Sequence, residues 1–203
     1  VLTPPFCVQK RGDVVDYTSP CVIKPVDGGS SIGVSLATSL SEFLLGTTNA
    51  FHVSNEVMIE TYISGAEYTV AVIDEGGAMT ALPVIQVRSK NAFFDFESKY
   101  DADLVEEICP AQITASLSEE LKKIAIRVHQ LIGVRHMSRS DFIVDSEGRI
   151  WFLEVNTIPG QTLQSLVPKA IRASGRDFAE LLNVWIEEVI QEKRRDTKSD
   201  TGA

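Results

Sequence analysis

Cysteine and histidine are scarce in this chain, three of each in 203 residues. Cys7, Cys21 and Cys109 are odd in number and lie far apart, without the paired spacing of a zinc site or a redox motif. No disulfide framework is expected; the thiols read as reduced and cytosolic, two of them packing as small hydrophobes. His129 and His136 stand in no metal-ligand pattern and read as structural or exposed. No apolar run approaches the length of a membrane span, and no charged-then-apolar signal segment opens the chain. Positive charge is short as well: 19 Lys and Arg against 28 Asp and Glu leave a net charge of -9. That balance disfavours nucleic acid or an anionic membrane surface as partner, and it obliges a polyanionic ligand to find local positive charge. The phosphate-loop signature of glycines followed by Lys-Ser or Lys-Thr is missing, and so is the dinucleotide fingerprint that opens a helix. There is no internal repeat. The first residue is Val rather than Met, which reads as an excised or partial chain.

What is present is ordinary for a globular protein: 44% hydrophobic and 23% charged residues, in a chain long enough to bury a substantial core in one large or two small domains. The stretch that organises it runs from Arg139 to Asn156. Two apolar runs of period two, Ser140 to Val144 and Ile150 to Val155, flank Asp145, Ser146, Glu147 and Gly148, and read as a hairpin. Side chains alternate faces along a strand, so Arg139 shares a face with Asp141, and Glu154 with Asn156. With the turn centred on Glu147 and Gly148, Asp141 lies opposite Glu154 and Arg139 opposite Asn156. Two carboxylates and an amide oxygen are the hard ligands Mg²⁺ takes when phosphates and water complete its shell, and an adjacent Arg suits developing negative charge. A solvated hairpin face is the plainer reading. Apolar Phe142, Val144, Ile150 and Phe152 argue instead for a hairpin covered on both sides, where buried carboxylates need cationic partners.

Taken in order, residues 1–8 read as an extended lead-in, Gly12-Asp13 as a turn, and Cys21 to Pro25 as a buried strand carrying Lys24. The loop from Asp27 to Val34 is rich in glycine and backbone donors. It suits closure over phosphates, and equally suits a glycine-rich hairpin tip. Ser39 and Glu42 have capping-box spacing and start a helix expected to end near Gly46. Residues 56–63, 67–73 and 79–87 read as an antiparallel meander. Residues 88–110 lack a period and hold Phe93, Phe94, Phe96, Lys99 and Tyr100, which suggests a packed lid. Ser116 or Ser118 caps a helix whose core stripe is Leu121, Ile124, Ala125, Val128, Leu131 and Ile132, with Gly133 at its end. A loop from Thr157 leads into a helix capped by Ser165, whose N-terminus offers amides to an anion. Residues 177–192 form a last amphipathic helix, and 193–203 a frayed polar tail.

In that order the motifs resemble the D-alanine–D-alanine ligases of the ATP-grasp superfamily. The residues that carry the resemblance are Ile23 to Gly33, Ile59 to Glu67, Ser98 to Tyr100 with Cys109 to Ala111, Ser138 to Asp141, and Leu153 to Gly160 with Ser165 to Pro168. Each motif is weak alone; jointly they are specific and run across nearly the whole chain. The resemblance implies an α+β, ATP-grasp fold: two α+β subdomains with largely antiparallel sheets gripping ATP between them. Residues 1–90 would be the central subdomain with the glycine-rich loop, and 91–203 the C-terminal subdomain with lid, Mg site and acceptor site. Such ligases begin with a further domain that helps bind the first D-alanine, and it is expected to be missing from this chain.

By the same resemblance, Lys24 and Lys99 would hold ATP phosphates, with the loop of Gly29 and Ser31 closing over them. Glu60 and the backbone near Ile63 would meet adenine, and Glu67 the ribose. Asp141, Glu154 and Asn156 would bind two Mg²⁺ (or Mn²⁺) ions. Arg139 and the Gly160 amide would stabilise the tetrahedral intermediate, Ser165 and the Leu166 amide would hold the second alanine's carboxylate, and Ser30 and Tyr100 would help close the site over the first. D-alanine and ATP are the implied partners, the parent a cytoplasmic homodimer. Thr61 departs from the family, which usually has a long basic residue against adenine there. Two other readings stand beside this one: a different ATP-grasp carboxylate–amine ligase, and a nucleotide-binding module without ligase activity.

Overall fold

Alternation builds the first sheet. Strands β1 (Phe6–Lys10), β2 (Cys21–Pro25), β3 (Ser35–Ala37) and β4 (Glu56–Thr61) lie in the order β1-β4-β2-β3. All the pairings are antiparallel, with Ile59 opposite Cys7 on one side and Ile23 on the other. Cys21, Ile23, Val57 and Ile59 point to one face, where Phe43 and Ala50 of helix α1 (Leu40–Val53) complete a core. Lys24 and Glu60 therefore point to the other face. This computed structural model describes residues 1–13, 17–89 and 105–200.

Helix α1 does not stop at Gly46 as expected. A Cβ there would collide with Ser35 and Ile23, so this glycine serves close helix–sheet contact inside the helix rather than a C-cap. The expected capping box is present with a shift: Glu42 N–H donates to Ser39 Oγ, while the Glu42 carboxylate accepts from the Thr38 amide at 2.7 Å.

The second sheet has the order β10-β9-β5-β7-β8, from β5 (Ala66–Glu75), β7 (Ile85–Ser89), β8 (Val105–Ile108), β9 (Met137–Val144) and β10 (Ile150–Asn156). A short β6 (Ala78–Ala81) pairs antiparallel with β5. The expected meander of 56–63, 67–73 and 79–87 does not form as one unit: β4 lies in the first sheet, paired with β1 and β2, and the expected third strand is two strands, since Pro83 cannot continue a ladder. The strand ends at 88–89 and 105–108 also shorten the irregular stretch expected over 88–110; the aromatics and Lys99 of that stretch lie outside the described residues.

Helix α2 (Ala115–Leu131) is capped by Thr114, whose hydroxyl accepts from the Leu117 amide, and not by Ser116 or Ser118. Its inner face is Leu121, Ala125, Val128 and His129. Leu131 and Ile132 are exposed, because the helix ends before the stripe completes another turn. Helix α3 (Leu166–Ala173) and α4 (Phe178–Asp200) set Val167, Ala170, Ile171, Leu181 and Trp185 against Ala71, Ile73, Leu82, Ile85 and Met137. Helix α4 continues well past Glu192, where a frayed tail was expected. Cys21 is buried, Cys109 half-buried against this second core and Cys7 exposed, all three as free thiols.

The chain divides into two compact units, residues 1–67, 87–107 and 143–153 in one and 68–86, 108–142 and 154–203 in the other. They interleave along the sequence. The class is α+β with largely antiparallel sheets, as expected.

Candidate functional site

In the first unit, Lys24 and Glu60 form an ion pair. Lys24 faces Met58 across the β2–β4 ladder, two residues from Glu60 on the same face, which puts the two charged heads within diagonal reach. The Glu60 side chain is 6% exposed and that of Lys24 24%. Burying a carboxylate this deeply requires such a partner. Ile63 follows the strand and is half-buried, as is Glu67 in β5. The loop between β2 and β3 is the expected strand–loop–strand. Within it Ser30 and Ser31 both take positive φ, 54° and 60°, and Ile32 N–H donates to the Gly29 carbonyl. Ser30 is exposed and Ser31 half-buried.

In the second unit, the hairpin strands gather four of the expected residues. Arg139 forks onto Asp141, Nε to Oδ1 at 2.9 Å and Nη2 to Oδ2 at 2.8 Å. Its Nη2 also lies 3.9 Å from Glu154 Oε1, and Asn156 Nδ2 donates to that same oxygen at 3.0 Å. A fifth residue, missed in the sequence, is Thr69 of β5, whose hydroxyl donates to Asp141 Oδ1 at 2.6 Å. No local pattern marks it, because the contact spans 72 residues. Burial pushes the Asp141 carboxyl above the ordinary carboxylate range. The Arg139 guanidinium and the hydrogen bonds from Arg139 and Thr69 pull it back, and Glu154 adds repulsion.

The turn is a residue longer than the two-residue loop centred on Glu147 and Gly148 would be. Asp145 N–H donates to the Arg149 carbonyl, Gly148 N–H donates to the Asp145 carbonyl, and Gly148 takes φ 79°, giving a three-residue loop over 146–148. Asp145 accepts from the Glu147 and Arg149 amides, the Arg149 guanidinium and the Trp151 indole. The Trp151 bond, with the Arg149 and amide hydrogen bonds, holds its carboxyl well below the usual range.

Gly160 and Ser165 also come together. A Cβ on Gly160 would meet Ser165 Oγ at 2.8 Å, so only glycine fits there without displacing the serine. Ser165 occupies the N-cap position of α3 but does not cap with its side chain: its Oγ accepts from the Thr162 amide at 3.2 Å. The hydroxyl is turned back into the loop, and Leu166 opens the helix. Lys99 and Tyr100 lie outside the described residues. His129 is fully buried, its Nδ1 2.8 Å from Ser138 Oγ, and burial lowers its pKa. His136 faces Glu188 at 3.7 Å.

Asp141, Glu154 and Asn156 offer only oxygen donors, which fits a hard divalent cation whose remaining ligands are phosphate and water. Among the described residues no cluster of three or more His, Cys, Asp or Glu could hold a metal by itself.

Residues 8–187 match the family described as D-ala D-ala ligase C-terminus. The chain belongs to the D-alanine–D-alanine ligase family. Among the members it resembles, a D-alanine–D-alanine ligase of Desulfotalea psychrophila is 44% identical over 177 residues, 86% of this chain and 55% of that relative. One from Azobacteroides pseudotrichonymphae is 37% identical over 93% of this chain and 56% of the relative. The chain therefore spans just over half the length of these family members. The crystal structure of the Bacillus anthracis D-alanine–D-alanine ligase superposes with a TM-score of 0.80 at 30% identity, over 96% of this chain and 64% of that one. A second structure of that family member, complexed with ATP, superposes at 0.77 and 26% identity.

Proposed function

We propose that this chain supplies the nucleotide and acceptor sites of a D-alanine–D-alanine ligase. In that reaction a carboxylate oxygen of one D-alanine attacks the γ-phosphorus of ATP, releasing ADP. The amine of a second D-alanine then displaces phosphate from the acyl phosphate, loses a proton and forms the peptide bond of a peptidoglycan precursor. The observation that carries the reading is the cluster of Arg139, Asp141, Glu154 and Asn156 on one hairpin, supported by family membership and by the relative that binds ATP.

Phosphoryl transfer asks a protein mainly for positioned charge. Asp141, Glu154 and Asn156 would hold two Mg²⁺ (or Mn²⁺) ions, which when bound offset the charge of the phosphate oxygens. Lys24 and Lys99 bind phosphate, with Gly29, Ser30 and Ser31 in the loop that covers it. Glu60 and the Ile63 backbone meet adenine, and Glu67 the ribose. Arg139 and the Gly160 amide face the negative charge of the tetrahedral centre. Ser165, its hydroxyl free of capping duty, and the Leu166 amide take the acceptor carboxylate. Tyr100 and Ser30 close over the first alanine, and a tyrosine there goes with an amine acceptor, so D-alanine is used in preference to D-lactate. We assign residues 1–90 and 91–203 to the family's central and C-terminal subdomains, and a cytoplasmic, homodimeric parent. Among the described residues no helix is long and apolar enough to cross a membrane.

The test uses the 203 residues alone. ATP titrated in a calorimeter should bind with Mg²⁺ present and lose most of its affinity in EDTA. A coupled ADP-release assay with saturating D-alanine should show little turnover, because the relatives are nearly twice as long and holding both reactants can be worth about 7–11 kcal/mol of barrier. Absence of Mg-dependent ATP binding would overturn the reading.

A further inference from the structure

Each oxygen of a carboxylate has two lone pairs to give. Asp141 Oδ1 spends both inside the protein, one on Thr69 Oγ1 at 2.6 Å and one on Arg139 Nε at 2.9 Å. Its Oδ2 accepts only from Arg139 Nη2, at 2.8 Å, among the described residues. The Thr69 hydroxyl has one proton and two acceptors in reach. The Asp141 oxygen at 2.6 Å is much nearer than the Ser140 carbonyl at 3.3 Å, so the proton lies on the carboxylate. Thr69 is itself 3% exposed and sits inside β5, so the donor cannot swing away to water.

We propose that Thr69 is a positioning residue for the metal centre: it ties down Oδ1 of Asp141, sets the rotation of the carboxylate, and leaves Oδ2 as the oxygen that faces a divalent cation. The inference rests on the proposed Mg²⁺ role of Asp141. An Arg fork alone fixes the carboxylate plane, but a guanidinium on a flexible stem can follow a rotating carboxylate. A hydroxyl on a strand neighbour cannot. Partners of this kind, one bond removed from the metal, typically contribute about 10- to 100-fold in metal affinity.

The test is ATP binding by calorimetry across a Mg²⁺ series, on the whole chain, with a parallel series in EDTA. Thr69→Val keeps the branched shape and removes the donor. It should raise the Mg²⁺ concentration needed for half-maximal enhancement of ATP binding about tenfold, while ATP binding in EDTA stays at the parent value. Thr69→Ser restores the donor and should return the midpoint to within about twofold. A valine variant that titrates with Mg²⁺ like the parent, while Asp141→Asn loses the Mg²⁺ effect, would overturn the proposal and leave the metal site standing. If Asp141→Asn also titrates like the parent, the metal reading itself falls. Thr69→Ala, with the same lost donor, serves should valine not fold. Failure of both to fold beside a folded serine variant would make the hydroxyl a folding determinant and equally overturn the proposal.

Discussion

Two aspartates four residues apart on one β-strand and its turn, each with an arginine as nearest cation, end in opposite electrostatic states. Asp145 takes two backbone amides, an indole N–H and one guanidinium, and its carboxyl is held well below the usual range. Asp141 takes one guanidinium and one hydroxyl, and burial pushes its carboxyl up despite them. The difference is not the arginine. It is that burial is the largest influence on Asp141, while at Asp145 the Trp151 indole bond leads and the Arg149 and turn-amide hydrogen bonds add to it. Asp145 is fully satisfied and serves the fold. Asp141 retains a demand for positive charge that a cation can meet.

The sharpest break in that contrast comes from removing each arginine. Arg139→Gln leaves a partly buried carboxylate without its cation and should cost about 3 kcal/mol of unfolding free energy, the low end for a broken buried pair because Asp141 can protonate. Arg149→Gln, at a half-exposed arginine beside a carboxylate with three other donors, should shift the urea midpoint far less. Equal shifts would mean that the two sites do not differ as described. Lys24→Met extends the comparison to a third pair. It strands the buried Glu60 and should cost about 1.5–3 kcal/mol, read from the same unfolding curves.

A smaller effect separates the aspartates by pH. Because the folded Asp145 carboxyl is depressed, its contribution is fully present above the unfolded value of about 3.9 and is lost as pH falls toward the folded value. The melting temperature of Asp145→Asn should therefore lie below that of the parent by a constant gap from pH 7 to 5, closing as pH drops below about 4. A gap that widens in acid would contradict the assignment.

Much of this was legible in the sequence because it is local. Period-two alternation gave the hairpin and put Arg139 beside Asp141, and the glycine-rich loop sits between strands as read. What escaped depends on partners distant in the chain. Thr69 matters only once β5 lies beside β9, and Gly46 has its role inside a helix only where Ser35 and Ile23 leave no room for a Cβ. The capping role of Thr114, ahead of two serines, turns on where the backbone leaves its extended conformation, which composition does not encode. His129 lies in the core, where the expected stripe did not include it, because Ser138 of β9 gives its ring a partner. The Lys24–Glu60 pair needed the β2–β4 register.

The proposed metal site makes Asp141 the metal-facing carboxylate and leaves Asp145 out of it. Calorimetric titration of Mg-ATP into the chain carrying Asp141→Asn, and into the chain carrying Asp145→Asn, tests it directly. The first should lose more than the roughly 10- to 100-fold of a mere outer partner, while the second should bind within about twofold of the parent. Parent-like binding by Asp141→Asn would contradict it, as would an equal loss in both.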